Sequence, residues 1–248
     1  MKKTARIIGK NPVLDAFEEV AYFDKIFLQK GTHGPFEKEI RGLAKARNIP
    51  ISFIPKEKMN KMAAGNHQGV IALISPIPYY ELSDLIPKVF EEGKNPLFLL
   101  LDSVTDVRNF GAIARSAEVL GANGIVVPIK GAASFSEEAI KSSAGALLRI
   151  PICRISSISV AIELLKTSGI RIFASDLNAK KELAVMDFSM PSAFIMGAEG
   201  EGIRPSVIRA VDETFIIPQM GKTDSLNVSV ASGIILYEIL KQRKGLRQ

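Results

Sequence analysis

The chain has 248 residues, 47% hydrophobic and 23% charged, with a net charge of +6; this composition excludes a disordered or fibrous protein. No run approaches the ~20 apolar residues that span a bilayer, and no apolar stretch of signal-peptide length follows the Met-Lys-Lys start. We therefore expect a globular protein of the cytoplasm.

The excess positive charge is confined to the first third of the chain. Residues 1–80 carry 13 Lys and Arg against 7 Asp and Glu, whereas residues 81–248 carry 19 of each. Because contacts between basic side chains and phosphates supply most of the sequence-independent affinity for nucleic acids, the first third has the charge of a nucleic-acid-binding unit. A lysine-rich surface that serves only solubility is the alternative.

The first third alternates helical and strand patterns. Asn11 and Pro12 are typical of a helix start, with the asparagine as N-cap. The next predicted elements are a strand, a helix and two further strands, at 25–29, 36–47, 51–54 and 69–75. We predict an α/β domain over 1–76, followed by a proline-marked linker over 77–95 with one amphipathic helix at 82–90.

The remainder of the chain is predicted to form a second domain over 96–248, in which strands and helices alternate. The run 97–101 is continuously apolar, which indicates a strand buried on both faces of a parallel sheet. Further strands are predicted at 124–127, 171–174, 194–196 and 214–217. Helices are predicted at 110–120, 136–148, 161–166 and 228–241. This order predicts an α/β fold with helices on both faces of the sheet.

Several common site signatures are missing from the sequence. The glycines of GAEGEG at 197–202 are spaced differently from the G-x-G-x-x-G dinucleotide fingerprint, and no P-loop sequence is present. Ser225 has no histidine near it, because His33 and His67 both lie in the first domain. These two histidines and the single Cys153 provide neither a zinc cluster nor an internal disulfide. We expect a metal-free protein, with His67 in a structural role.

Polar side chains follow three of the predicted strands, where a parallel sheet places its ligand sites. They are Asn109 and Arg115 after one strand, Glu199 after another, and Ser225 and Asn227 after a third. Each has a structural alternative, since the two asparagines could cap helices and Glu199 could complement a helix dipole. Because all five recur at strand ends, we interpret them together as one site.

Three blocks of the sequence carry a resemblance to a known family: LDSVTDVRNFGAIARSAEVLGANGIVV, FIMGAEGEGIRP and IIPQMGKTDSLNVSVA. They are similar to the three motifs of the SpoU, or TrmH, family of RNA ribose 2′-O-methyltransferases in the SPOUT superfamily, over about residues 95–245. RIIGKNPVLDAF and NHQGVIAL resemble the small ribosomal-protein-like substrate-binding domain of members that modify ribosomal RNA. The family's usual proline after the first-motif aspartate is Val107 here, which affects loop stiffness but no catalytic residue.

The resemblance implies a fold, a cofactor and a site. The fold includes a deep trefoil knot in the C-terminal half, and family members are usually homodimers. The cofactor is S-adenosylmethionine, bound in the knot by the loops at Gly197, Ile217 and Leu226. The catalytic residues carried over from the family are Asn109, Arg115, Glu199, Ser225 and Asn227. The implied reaction is methylation of a ribose 2′-hydroxyl in RNA, with a guanosine of 23S ribosomal RNA as the favoured target.

Arg115 is the residue whose implied role needs physical interpretation. Arginine has a pKa above ~12 and is therefore a weak candidate for the base that accepts the hydroxyl proton. We interpret Arg115 as the group that anchors an RNA phosphate and orients the hydroxyl, with Glu199 holding Arg115 or its loop. Asn109, Ser225 and Asn227 would then shape the cofactor and hydroxyl pocket by hydrogen bonding.

Three alternatives stay open at the level of sequence. The substrate could be transfer RNA, or the protein could be a non-catalytic RNA-binding or assembly protein that keeps the fold. Methylation of a nucleobase is the third alternative. The motifs disfavour it, because Phe110 and Phe194 are their only rings and neither is placed to stack on an extruded base.

Overall fold

The computed structural model describes residues 6–19, 22–133, 135–198, 200, 202–221, 223 and 225–245. The chain forms two compact units: the first runs to Pro78 and includes Phe135–Glu137, and the second begins at Tyr79. None of the helices formed by the described residues combines the length and apolar character needed to cross a bilayer.

The first unit is a small α/β domain. Its strands are β1 (Arg6–Ile8), β2 (Phe23–Gln29), β3 (Ile51–Ile54) and β4 (Val70–Ile74), and its helices are α1 (Lys10–Glu18), α2 (Pro35–Ala46) and α3 (Lys56–Met62). The sheet order is β1-β4-β2-β3, with β2 and β3 parallel and β4 antiparallel to both of its neighbours. Two of these elements, the three-residue β1 and the lysine-rich α3, were not predicted from the sequence.

Helices cover both faces of this first sheet. Ile26 and Leu28 of β2 pack in one apolar cluster with the buried residues of α1 and α2, whereas Phe27 packs with Met59 of α3. Successive side chains of a strand point to opposite faces, so α3 lies across the sheet from α1 and α2. The predicted N-cap role of Asn11 is wrong, because α1 begins at Lys10 and its N-cap is Gly9.

The second unit is a parallel α/β domain. Its strands are β5 (Leu97–Asp102), β6 (Gly124–Pro128), β7 (Ile152–Ile155), β8 (Arg171–Ser175), β9 (Ser192–Gly197) and β10 (Glu213–Phe215). Its helices are α4 (Leu82–Glu91), α5 (Val107–Val119), α6 (Glu137–Ser142), α7 (Ile158–Thr167), α8 (Pro205–Ile208) and α9 (Val228–Arg243). The strand order is β10-β8-β9-β5-β6-β7, and every ladder is parallel, as predicted.

Two predicted segments differ from the structure of this unit. Most of the linker predicted over 77–95 belongs to the second unit, because α4 buries Leu82 and Ile86 in the same apolar core as α7. The helix predicted over 136–148 is divided into α6 and a short 3-10 helix, Ala146–Leu148. Ala144 and Gly145, with φ angles of 49° and 80°, separate the two pieces because left-handed residues cannot continue an α-helix.

The centre of the parallel sheet positions the candidate site. β9 lies between β8 and β5, and all six residues of β5 are buried. The last register pair of β5 and β9 joins Asp102 to Gly197, so the loops that follow these two strands begin side by side. The trefoil knot that the family resemblance implies stays a prediction.

Candidate active site

A cavity of about 510 Å³ lies where β8, β9 and β10 end. Its walls come from the loop after β8, the end of β9 with the loop that follows it, the segment after β10 and the first turn of α9. The lining residues discussed below are Gly197, Gly202, Ile203, Pro205, Ile217, Ser225 and Leu226. The volume lies within the ~300–1,000 Å³ typical of small-molecule sites.

All three residues predicted to bind the cofactor line this cavity: Gly197, Ile217 and Leu226. They come from two separate segments of the chain, which the strand order β10-β8-β9 brings together. Ser225, from the predicted catalytic set, lines the same cavity. The cavity therefore joins parts of the second and third sequence blocks.

Gly197 has no room for a side chain. A Cβ atom at this position would lie 2.1 Å from the carbonyl carbon of Gly202 and 2.4 Å from the nitrogen of Ile203. The following loop folds back onto the end of β9, where the N–H of Gly202 donates to the carbonyl oxygen of Ala198 at 2.9 Å. Glycine thus allows two backbone segments to approach closely beside the cavity.

An ion pair between a buried aspartate and a half-exposed arginine fixes the same loop from the other side. Asp102, at the end of β5, is 0% exposed. Arg204 Nε donates to both carboxylate oxygens of Asp102 at 3.0 Å, and the backbone N–H of Arg204 donates to Oδ2 at 3.2 Å. These hydrogen bonds raise the pKa of the Arg204 guanidinium above its ordinary value. The cavity-lining residues Ile203 and Pro205 flank this anchor.

This ion pair was not predicted from the sequence. The sequence nevertheless carries a signal for it, since Asp102 is a carboxylate directly after a run of five buried apolar residues. A buried charge requires a partner. The partner, Arg204, lies 102 positions further along the chain, so local patterns do not identify it.

Removing the arginine should be costly because it leaves a buried charge behind. We expect Arg204→Ala to lower the free energy of unfolding by about 1–3 kcal/mol, since the buried carboxylate loses its charged partner but keeps the hydrogen bond from the backbone N–H of residue 204. In an Asp102→Asn background the same substitution should cost clearly less, since no buried carboxylate is then unpaired. Urea unfolding of the two single variants and the double variant measures this difference. Equal costs in both backgrounds would show that the pair does not act as a unit.

Two of the predicted catalytic asparagines touch each other. The Nδ2 of Asn227 donates to the Oδ1 of Asn109 at 3.1 Å, which links the first sequence block to the third. Asn227 also caps α9, because its Oδ1 accepts from the backbone N–H of Ser229 at 2.9 Å. The capping alternative for Asn109 is wrong, since Asp106 caps α5 through the N–H groups of Arg108 and Asn109.

The remaining predicted catalytic residues occupy different positions. Arg115 is exposed on α5, which packs against α9, and it does not line the cavity. Ser225 is exposed at the cavity, two residues before Asn227. Glu199 lies outside the described residues. The structure thus groups Ser225 with the predicted cofactor residues and Asn109 with Asn227, and it leaves the roles of all five as predictions.

The single cysteine is unsuited to nucleophilic chemistry. Cys153 is buried in β7, and burial, with a smaller contribution from the charge of Glu81, raises its pKa to about 12. Only the thiolate is an effective nucleophile, so this thiol is inert near neutral pH. A covalent cysteine mechanism is therefore excluded for Cys153.

A parallel α/β domain with a cavity at its strand ends is typical of proteins that bind a small polar ligand. In this chain that domain follows a basic α/β unit. The sequence profile of the SpoU rRNA methylase family matches residues 96–237. A second profile, RNA 2′-O ribose methyltransferase substrate binding, matches residues 6–80. The chain belongs to the SpoU rRNA methylase family and is an RNA methyltransferase, as the resemblance implied.

Individual relatives agree with this assignment. A Bacillus subtilis protein named as a TrmH family tRNA/rRNA methyltransferase, YacO, is 35% identical over 237 residues, which cover 96% of this chain and 95% of that protein. The crystal structure of an AdoMet-bound rRNA methyltransferase from Sinorhizobium meliloti is similar, with a TM-score of 0.62, 25% identity and coverage of 98% and 88% of the two chains. The SpoU methyltransferase AviRb from Streptomyces viridochromogenes has the same fold, with a TM-score of 0.62, 24% identity and coverage of 98% and 90%.

Proposed function

We propose that this protein methylates a ribose 2′-hydroxyl in RNA with S-adenosylmethionine, and that its target is a guanosine of 23S ribosomal RNA. The cofactor is that of the family, and the crystal structures of the Sinorhizobium meliloti rRNA methyltransferase and of the SpoU methyltransferase AviRb contain bound AdoMet. The observation that carries the proposal is the cavity, because Gly197, Ile217 and Leu226 from two chain segments line one space of suitable size. Gly197 also lets the loop that follows β9 pack against the end of the strand beside this cavity.

The cofactor would supply a methyl group on a sulfonium, and the residues of this chain would position the acceptor. Holding two reactants in near-attack geometry can contribute ~7–11 kcal/mol to lowering the barrier. The hydrogen bond between Asn109 and Asn227 fixes both amides beside the first turn of α9. Arg115 would anchor a phosphate and orient the hydroxyl, and Glu199 would hold Arg115 or its loop. Ser225 would shape the pocket next to the cofactor residues.

The choice of ribosomal RNA depends on the N-terminal unit. Its match to a substrate-binding domain and its resemblance to ribosomal proteins favour a ribosomal substrate. Transfer RNA is the second candidate, since one structural neighbour is described as a TrmH/SpoU tRNA modifying enzyme of A. aeolicus. Either RNA substrate, ribosomal or transfer, would place the enzyme in the cytoplasm.

Mapping 2′-O-methyl sites in cellular RNA tests this proposal. Cells that lack the gene should lose one ribose methylation in 23S ribosomal RNA, and a plasmid copy of the wild-type gene should restore it. Loss of a site in transfer RNA instead would overturn the ribosomal assignment. An unchanged methylation map would overturn the proposed function.

The last helix supports a proposed homodimer. Val230, Ile234 and Tyr237 recur at helical spacing on α9, and they are 51%, 38% and 59% exposed, while Ala231 and Ile235 are buried. Exposed apolar side chains that follow one another on a helix face are typical of an interaction surface, so a second copy of the chain would cover this face. Light scattering should give twice 26.9 kDa for the wild type and 26.9 kDa for Ile234→Glu. A monomeric wild type would contradict the dimer.

A further inference from the structure

The sheet of the first unit brings four loops to one end. Gln29 pairs with Ile54 where the parallel strands β2 and β3 finish. β4 runs in the opposite direction, so its first residue, Val70, lies opposite Leu28 of β2. β1 finishes beside the same part of β4. Residues 9–11, 30–34, 55–58 and 65–69 therefore meet, and we call this surface the loop end.

Backbone hydrogen bonds join the loops of the loop end to one another. The N–H of Lys10 donates to the Oε1 of Gln68 at 2.9 Å. The N–H of Lys30 donates to the carbonyl oxygen of Ile54, also at 2.9 Å, two residues before Lys56 begins α3. Lys10, Lys30 and Lys56 are all exposed. Their ammonium groups therefore project from main chain that is held at fixed positions.

The charge of the loop end is strongly positive. Its four segments contain Lys30 in a loop, Lys10 at the start of α1, and Lys56 and Lys58 in the first turn of α3, and their one acidic residue is Glu57. At the opposite end of the sheet lie the described residues 18–19, 22–25 and 45–50, together with Arg6 at the start of β1. These residues include Arg6, Lys25, Lys45 and Arg47 against Glu18, Glu19 and Asp24. The loop end thus has the larger net positive charge, +3 against +1 for the described residues of the opposite end.

Exposed amides accompany these lysines. Asn11, Asn66 and Gln68 are exposed in the same loops. Separated cations with amide donors between them suit a chain of phosphates and sugars, which protein side chains contact through charge and hydrogen bonds. The surface therefore has the chemistry that recognises a polynucleotide backbone.

We propose that the loop end is the surface with which the N-terminal unit holds the RNA substrate, with Lys10, Lys30 and Lys56 each contacting a phosphate. This inference rests on the proposed function, because it takes RNA as the substrate. It adds the residues that bind RNA and leaves the opposite end of the domain outside the interface.

The test compares two triple variants of the full chain. The first carries Lys10→Gln, Lys30→Gln and Lys56→Gln at the loop end. The matched control removes three charges from the other end, by Lys25→Gln, Lys45→Gln and Arg47→Gln. Both triple variants also lose contacts between a cation and a phenylalanine ring: Lys10 lies over Phe36 at the loop end, and Lys25 and Arg47 lie over Phe27 and Phe17 at the other end. Binding of fluorescein-labelled polyuridylate is measured at a series of salt concentrations.

Each lost phosphate contact on a single strand lowers the salt slope of log K by ~0.7, so the loop-end variant should lose about 2 from this slope. The control should keep the wild-type slope. The three single loop-end variants should each lose about one third of the effect, which provides a second measurement if the triple variant folds poorly. An unchanged slope in the loop-end variants, or an equal loss in the control, would overturn the proposal.

Methyl transfer by the wild type to deproteinised 23S ribosomal RNA, measured in parallel, separates this inference from the proposed function. An active wild type with equal slopes in both triple variants would remove the loop-end surface and leave the proposed function intact. If the wild type is inactive but only the loop-end variant has a reduced salt slope of RNA binding, the loop-end surface is supported and the proposed function is contradicted.

Discussion

Arg115→Ala should lower the rate of methyl transfer by roughly 10²–10³-fold while leaving S-adenosylmethionine affinity near that of the wild type. The physical reason is its position: Arg115 is exposed on α5 and does not line the cavity proposed for the cofactor. Its loss would therefore affect the RNA side of the reaction. Single-turnover methylation and calorimetric titration of the cofactor measure the two effects separately.

Lysine at the same position distinguishes charge from geometry. Arg115→Lys should recover little activity, because an ammonium cannot reproduce the planar fork of a guanidinium that binds phosphate with two hydrogen bonds. Arg171→Ala is the control: Arg171 is an exposed arginine at the start of β8, whereas the cavity lies where that strand ends. Full activity of Arg115→Lys would show that charge alone suffices and that the orienting role is wrong.

Gly197→Ala should abolish most cofactor binding. The new Cβ would collide with the backbone of Gly202 at 2.1 Å, and backbone cannot move aside as a flexible side chain can. Overpacking costs ~1–3 kcal/mol or more, so the loop 198–203 should shift and cofactor affinity should fall about a hundredfold at a cost of ~3 kcal/mol. Calorimetry and urea unfolding measure the losses of affinity and stability.

Gly221→Ala is the matched control for this change. Gly221 follows β10 in an exposed segment, and a Cβ atom there has no neighbour within 4 Å. This substitution should change stability by less than ~0.5 kcal/mol and should leave cofactor affinity unchanged. Wild-type cofactor affinity in Gly197→Ala would contradict the placement of the cofactor beside β9.

Most of the parallel sheet could be predicted because its strands are continuous apolar runs. β5, β6, β8 and β9 follow this pattern and were predicted within two residues at each end. β7, with the sequence ICRI, was missed because an arginine interrupts it; Arg154 is nevertheless buried and stacks on Tyr79. The sequence predicts the apolar face of α4 but not the unit in which it is buried. The structure shows that this face packs in the core of the second unit.

The site could be predicted in part. The motif resemblance identified Gly197, Ile217 and Leu226, and the cavity brings these three residues together. The link between Asn109 and Asn227 could not be derived from local patterns, because the residues are 118 positions apart. The same holds for Asp102 and Arg204, whose pairing depends on how the loop after β9 returns to β5. Tertiary contacts of this kind decide the details of the site.

The acceptor atom provides the most direct test of the proposed chemistry. The enzyme should transfer a methyl group to an RNA fragment that contains the target nucleotide. The same fragment with a single 2′-deoxy substitution at that nucleotide should bind with similar affinity and accept no methyl group, because the acceptor oxygen is missing while the phosphates remain. Methyl incorporation at the substituted nucleotide would locate the acceptor on the base and contradict ribose 2′-O-methylation.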